Sequence, residues 1–194
     1  VKDTHLLVLI PSTVDGEAFT LDLLEDLAKY PSEDGHCTQY FLYDDEVQQS
    51  SGDVYSSSSY WVLLTRDVLP GSIGKTYAAH QALVAAQTAP VNHSPYEIPY
   101  VLEAATAILS HYVRSGERLY EGLLDDETET PSTSTRCAAL LEDTSGHPSP
   151  FTVGRFCSRG LVFLSGLQST HRRGGCAPLF PSSISTCENA FEHD

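Results

Sequence analysis

Residues Tyr60–Thr65 (YWVLLT) form a short apolar run that contains the only tryptophan of the chain, Trp61. A run of this length suits a strand better than a helix, and its near-continuous apolar character predicts burial on both faces of a sheet. A second run, His5–Ile10 (HLLVLI), ends at Pro11 and is also predicted to be a strand. Both are far shorter than the roughly 20 apolar residues that cross a membrane, so no membrane span is predicted.

Three other segments have the spacing of apolar residues that is typical of helices. Residues 17–30 carry an apolar stripe, with Asp15 and Glu17 placing negative charge at the predicted helix start and Lys29 in its last turn. Residues 76–89 are rich in alanine, and residues 100–114 carry a second stripe, with Gly116 as the predicted stop. The first stripe consists of Phe19, Leu23, Leu24 and Leu27.

The order of the predicted elements is strand, helix, strand, strand, helix, helix, strand, strand, where the later strands lie at 38–43, 151–156 and 161–164. This irregular alternation favours an α+β or mixed-sheet α/β fold over a doubly wound parallel sheet. We expect one globular domain over residues 1–165, with about five short strands and three helices, because chains of this length usually form one domain. Residues 166–194 are rich in Gly, Ser and Pro and are predicted to be an irregular tail. The acidic, serine-rich segments 44–59 and 121–135 are predicted to be exposed loops.

The chain is strongly acidic, with 11 basic and 26 acidic residues and a formal net charge of −15. This balance repels phosphate backbones and makes nucleic acid an unlikely partner.

Five cysteines cannot all pair within one chain, although Cys176 and Cys187 could form a disulfide in an oxidising compartment. No methionine is present, so we expect a processed piece or an unobserved start, and the location could be cytoplasmic or extracellular after processing.

Residues 69–76 (LPGSIGKT) lie between a predicted strand and a predicted helix, which is the context of a phosphate-binding loop. In such a loop backbone N–H groups hold phosphates, Lys75 would reach the terminal phosphate oxygens, and Thr76 would hold magnesium. Leu69 occupies the position where that motif requires glycine, and Pro70 removes one N–H donor. An ordinary turn before a helix explains the same residues. The candidate ligand-binding residues are Gly71, Ser72, Gly74, Lys75 and Thr76.

The other reactive residues form no complete motif. None of the eight histidines is part of an HExxH sequence, no GxSxG sequence occurs, and no metal site is predicted. A nucleophile–base pair such as Cys157 with His111 could form only through the fold, so the catalytic residues remain unknown. Arg172 and Arg173 form a basic cluster that could bind an acidic partner or could simply be a solvated turn.

The segments 60–77 (YWVLLTRDVLPGSIGKTY) and 96–120 (YEIPYVLEAATAILSHYVRSGERLY) resemble an uncharacterised domain of large proteins from intracellular bacteria. The resemblance extends to residues 135–137 (TRC) and ends after Phe156. It implies no catalytic residues. In such domains the position of Gly74 is not a fixed glycine, which argues further against a phosphate-binding loop.

These observations favour an acidic binding or interaction domain, either alone or as one module of a larger protein, with a protein partner; the sequence does not indicate the oligomeric state. An enzyme is the first alternative, with a degenerate phosphate-binding loop at 71–76 or with a thiol or histidine hydrolase site. The cofactor of such an enzyme is not indicated by the sequence. A secreted structural protein, stabilised in part by a Cys176–Cys187 disulfide, is the second alternative.

Overall fold

The computed structural model describes residues 3–32, 34–38, 41–42, 54–87, 96–120, 134–142, 148–157, 160–164 and 179–182. These residues form two sheets with three and four strands, a short two-stranded hairpin, and three helices. The elements in chain order are β1 (His5–Ile10), β2 (Thr13–Val14), β3 (Glu17–Ala18), α1 (Leu21–Lys29), β4 (Phe41–Leu42), β5 (Tyr60–Thr65), α2 (Tyr77–Ala85), α3 (Val101–Ser115), β6 (Ser134–Glu142), β7 (Pro148–Cys157), β8 (Gly160–Leu164) and β9 (Leu179–Ser182). The mixed α+β class and the three helices are confirmed, whereas the expectation of about five strands was too low.

The three-stranded sheet has the order β1–β5–β9, and its neighbouring strands are antiparallel. In the β1–β5 register Leu6 lies opposite Leu64, so the even-numbered residues of both strands share one face. We call this the inner face of the sheet. It is fully buried at Ile10, Val62 and Leu64, which pack in the hydrophobic core.

The odd-numbered residues of β1 and β5 form the outer face of the same sheet, and this face is open. Leu7 is 57% exposed, Leu9 is 42% exposed, and Trp61, directly opposite Leu9, is 36% exposed. The prediction that β5 is buried on both faces was therefore wrong. An uninterrupted apolar sequence shows that both faces of the strand are apolar, but it does not show that both are covered.

The hairpin β2–β3 leads into α1, which begins after Thr20. The Thr20 hydroxyl oxygen accepts a hydrogen bond from the backbone N–H of Leu23, which is the usual way that threonine caps a helix. Asp15 and Glu17 lie before the helix, contrary to the prediction, while Lys29 lies in its last turn as predicted. The buried residues of α1 are Leu21, Leu24 and Ala28; of the predicted stripe, Phe19 and Leu24 are buried and Leu27 is exposed.

Helix α3 is the centre of the fold and contacts β1 and β5 on one side, β6 and β7 on another, and α1. Its first nine residues, 101–109, are all buried, and three of them are alanines that allow the strands to approach closely. The helix ends at Gly116, as predicted, with φ 71°, a conformation that glycine adopts at little cost. Its last six residues, 110–115, are only partly buried or exposed.

A buried carboxylate fixes the start of α3. One oxygen of Glu103 accepts a hydrogen bond from the backbone N–H of Tyr100 at 2.7 Å, and the other accepts from the Tyr60 hydroxyl at 2.8 Å. Burial raises the pKa of the Glu103 carboxyl, while the two hydrogen bonds oppose this change. Burial and the nearby Glu103 charge also raise the pKa of the Tyr60 phenol. The pair ties the first turn of α3 to the inner face of the three-stranded sheet.

The four-stranded sheet has the order β4–β8–β7–β6, with a parallel β4–β8 pair and antiparallel pairs elsewhere. It covers another side of α3 and contributes Phe151, Phe156 and Phe163 to the core. The predicted strands at 151–156 and 161–164 are present as β7 and β8, and the one predicted at 38–43 is described only as β4.

Four strands lie where none was predicted, namely those of the hairpin β2–β3 and strands β6 and β9. Strand β6 begins at Ser134, at the end of the predicted loop 121–135, and β9 lies within the stretch 166–194 that was expected to be irregular. The boundary of the globular domain at 165 stays a prediction. Residues 44–53 and 121–133 of the predicted acidic loops lie outside the described residues, and 54–59 contain no helix or strand.

Candidate functional site

A cavity of about 530 Å³ lies between β1 and the second half of α3. The strand contributes four consecutive residues, 6–9, so the cavity follows the backbone of β1 and touches side chains of both sheet faces. The helix contributes residues at the spacing of a single helical face. We call this cavity the edge groove; it is lined by Leu6, Leu7, Val8, Leu9, Trp61, Ala107, Ser110, His111, Arg114 and Ser115.

The backbone of β1 presents hydrogen-bonding groups on the side away from β5. The N–H of Arg66 donates to the carbonyl of Thr4 at 2.9 Å, and the β1–β5 register makes these residues a pair. In an antiparallel pair such hydrogen-bonded positions alternate along the strand, so the even-numbered residues of β1 bond to β5. The N–H and C=O groups of Leu7 and Leu9 therefore point away from β5. No strand in the described ranges pairs with this edge of β1.

A second, more apolar cavity of about 320 Å³ continues from the edge groove between α1 and α3. Leu9, Ser110 and Arg114 line both cavities and mark their junction. Beyond the junction, the walls are formed mainly by apolar side chains, including those of Phe19, Leu24, Leu27 and Val113. The two cavities together provide a strand edge, a cation and an apolar recess next to each other.

Two lining residues of the edge groove, His111 and Ser115, belong to a polar cluster around His111. One oxygen of Glu117 accepts from the guanidinium of Arg66 at 2.9 Å and lies 3.0 Å from Nε2 of His111. The Ser115 hydroxyl donates to the His111 carbonyl at 2.7 Å and lies 3.5 Å from the same Nε2.

This cluster lacks the geometry of a nucleophile–base–acid triad. A triad uses the two ring nitrogens of histidine for different partners, whereas Glu117 and Ser115 both approach Nε2 of His111. A nitrogen that donates a proton to Glu117 cannot accept one from Ser115. Glu117 is also 62% exposed at its side chain, so its charge is screened by solvent. The cluster is an ion-pair network that holds the end of α3 against Arg66.

The predicted phosphate-binding residues form two successive turns. The N–H of Ser72 bonds to the Leu69 carbonyl at 3.0 Å, and the N–H of Lys75 bonds to the Ser72 carbonyl at 3.2 Å. The Thr76 hydroxyl oxygen caps α2 by accepting from Ala79. The backbone N–H groups that a phosphate would need are therefore bonded within the turns. Gly71 and Gly74 serve these turns, because both have φ near +75°, which glycine adopts easily. Phosphate binding stays a prediction that this geometry does not favour.

The buried side chain of His80 holds these turns in place. It is fully buried, and its Nε2 lies 2.7 Å from the Ser72 carbonyl, which can only accept a hydrogen bond. Burial lowers the pKa of His80, the bond to Ser72 opposes this, and the nearby Arg136 charge adds to it. A neutral ring that donates through Nε2 leaves Nδ1 as a buried acceptor without a hydrogen-bond partner among the described residues. His80 thus acts as a structural residue of the 69–76 segment.

The structure does not describe the side chains of the remaining sequence candidates. Arg172, Arg173, Cys176 and Cys187 lie outside the described residues, and Cys157, the proposed partner of His111, is the last residue of β7. Among the described residues, no three His, Cys, Asp or Glu side chains are placed to hold a metal ion. No helix in the described part of the chain is long and apolar enough to cross a membrane.

Comparison with known proteins finds no family model, no curated protein and no solved structure that matches the chain. The resemblance of segments 60–77 and 96–120 to an uncharacterised bacterial domain therefore stays a prediction. Of the residues of the edge groove, only His111 was a sequence candidate, as a base paired with Cys157, and the groove itself was not predicted. The sequence signal for it was the apolar character of Leu7 and Leu9, which also fits a strand buried on both faces.

Proposed function

We propose that the chain is a protein-interaction module that binds an extended peptide segment of a partner in the edge groove. The observation that carries this proposal is the open edge of β1: the Leu7 and Leu9 backbone groups point away from β5, and both residues line a cavity whose other wall is α3. A peptide in strand conformation would pair with these groups and extend the three-stranded sheet. The backbone bonds would supply affinity, and the pockets beside them would supply selectivity.

The side chains around the edge support the same conclusion. Apolar surface of Leu7, Leu9 and Trp61 is exposed next to an edge of β1 that no described strand pairs with, a combination that favours association. Because α3 forms the opposite wall, the groove suits a single extended chain. The Ser115 hydroxyl in the wall approaches a His111 nitrogen that Glu117 and Arg66 also approach, so binding describes this geometry better than hydrolysis does.

The test begins with selection of random displayed peptides on the immobilised chain, followed by titration of a synthetic selected peptide. Trp61 reports binding directly, because it lines the groove and no other tryptophan contributes to the emission. We expect Leu7→Pro to abolish binding, because proline removes the outward N–H without removing a bond to β5. Leu7→Ala is the matched control, since it keeps that N–H and loses only the side chain.

Thermal unfolding of each variant shows whether the fold survives. If Leu7→Pro does not fold, Leu9→Pro makes the same change at the next outward position. A selected peptide that binds both proline variants as tightly as the parent chain would refute strand addition. A concentration-dependent dimer that disappears in the proline variants would instead identify a second copy of the chain as the occupant.

A further inference from the structure

Arg114 is the cation at the junction of the two cavities. It lies in the last turn of α3, is exposed, and lines both the edge groove and the apolar recess between α1 and α3. Within the described residues no carboxylate lies close enough to form an ion pair with it. Arg66, which lies beside the lining residue His111, differs in this respect because it forms an ion pair with Glu117.

From this contrast we infer that the groove selects a peptide that carries one carboxylate beside apolar side chains, with the carboxylate on Arg114. The inference rests on the proposed peptide-binding function and names the chemistry of its ligand. A guanidinium binds a carboxylate through parallel hydrogen bonds, which are stronger than bonds between neutral groups. The hydroxyl of Ser110, on the same face of α3 and also at the junction, provides another donor.

The apolar recess sets the spacing of the recognised residues. Side chains of a strand that point to the same side are two residues apart. A peptide paired with β1 that places a carboxylate at Arg114 therefore places the residues two positions away on the same side, facing the helical wall. Phe19, Leu24 and Leu27 form the neighbouring recess. The recognised pattern is an acidic residue and an apolar residue two positions apart.

The charge of the whole chain limits the number of acidic residues in the ligand. A net charge of −15 repels a peptide with many carboxylates, so the single cation of the junction favours a peptide with one. A peptide with a single carboxylate that is otherwise neutral or basic is attracted to Arg114 and is not repelled by the net negative charge of the chain. The preference for one carboxylate at this position therefore depends on Arg114, against the background of the overall negative charge.

The probes are short peptides of alternating serine and leucine, acetylated and amidated so that the termini are uncharged. One leucine is replaced in turn by glutamate, glutamine or lysine, and binding is followed by Trp61 emission. We expect the best glutamate peptide to bind about tenfold tighter than its glutamine counterpart, and the lysine peptide to bind weakest. Arg114→Gln should remove the difference between glutamate and glutamine, while binding of the glutamine peptide persists.

Lys29→Gln is the matched control, because it removes the same charge from α1, where Lys29 pairs with Glu25 and does not line the groove. It should keep the preference for glutamate. Thermal unfolding confirms that both glutamine variants fold. If Arg114→Gln does not fold, Arg114→Lys replaces it, because lysine retains the positive charge. Equal binding of glutamate and glutamine peptides to the parent chain, or a preference that survives Arg114→Gln, would overturn the inference and leave the proposed function intact. If no peptide of the series binds, the proposed function itself fails.

Discussion

The inner and outer faces of the β1–β5 pair both carry apolar side chains, but the two faces differ in how far these side chains are buried. On the inner face Ile10, Val62 and Leu64 are fully buried under α3, whereas on the outer face Leu7 and Leu9 are largely exposed. Burial explains the apolar residues of the inner face, because they exclude water from the core. Those of the outer face are covered only in part within the described fold, with Leu7 57% and Leu9 42% exposed, and they adjoin the open edge of β1. The difference separates residues that stabilise the chain from residues that we assign to a partner.

The largest expected difference between the two faces is in stability. Leu64→Ala should lower the free energy of unfolding by about 2 to 5 kcal/mol, because it removes a fully buried side chain and leaves a cavity. Leu7→Ala, which makes the same change on the outer face, should cost less than about 1 kcal/mol. Urea unfolding measures both values. A cost for Leu7→Ala equal to that for Leu64→Ala would show that the outer face is covered within the chain.

The next contrast compares the two carboxylates that interact with α3. Glu103→Ala should cost about 2 to 4 kcal/mol, because the backbone N–H of Tyr100 and the Tyr60 hydroxyl both lose their acceptor. Glu117→Ala removes a largely exposed carboxylate and should cost less than about 1 kcal/mol. Equal losses in denaturant unfolding would contradict the distinction between a structural carboxylate near the inner face and an exposed one at the groove.

A smaller effect concerns the pH dependence of stability. Burial raises the pKa of Glu103 in the folded chain, so this carboxyl favours folding below its unfolded pKa of about 4.5 and loses that contribution as pH rises through the folded pKa. Glu103→Gln cannot ionise. The stability of this variant relative to the parent should therefore increase as the pH is raised from about 4 to 7. A difference that is constant across this range, measured by urea unfolding, would rule out the raised pKa.

Local sequence patterns predicted the elements that depend on local interactions. The apolar stripe of α3 and Gly116 identified that helix and its end, because a helix is formed by contacts between residues three and four apart. Strands β1 and β5 followed from their apolar runs. The hairpin β2–β3 was missed because strands of two residues have no periodicity to detect. Strands β6 and β9 were also missed, and β9 is four residues long and pairs with β5, which is distant in sequence.

The candidate site could not be predicted for a related reason. The most motif-like segment, 69–76, forms helix-entry turns held by His80, and its glycines serve backbone conformation. The edge groove depends on which edge of β1 stays unpaired and on the packing of α3 beside it. Both are properties of tertiary structure. Leu7 and Arg114 look like an ordinary strand residue and an ordinary helix-terminal cation in the sequence.

Amide hydrogen exchange along β1, resolved by residue, tests the central claim most directly. In the free chain the amides of Leu7 and Leu9 should exchange much faster than those of Leu6 and Val8, because only the even-numbered residues bond to β5. A saturating selected peptide should slow exchange at Leu7 and Leu9 and change Leu6 and Val8 little. Equal protection of all four amides in the free chain, or peptide binding without protection of Leu7 and Leu9, would contradict an open strand edge that receives a partner.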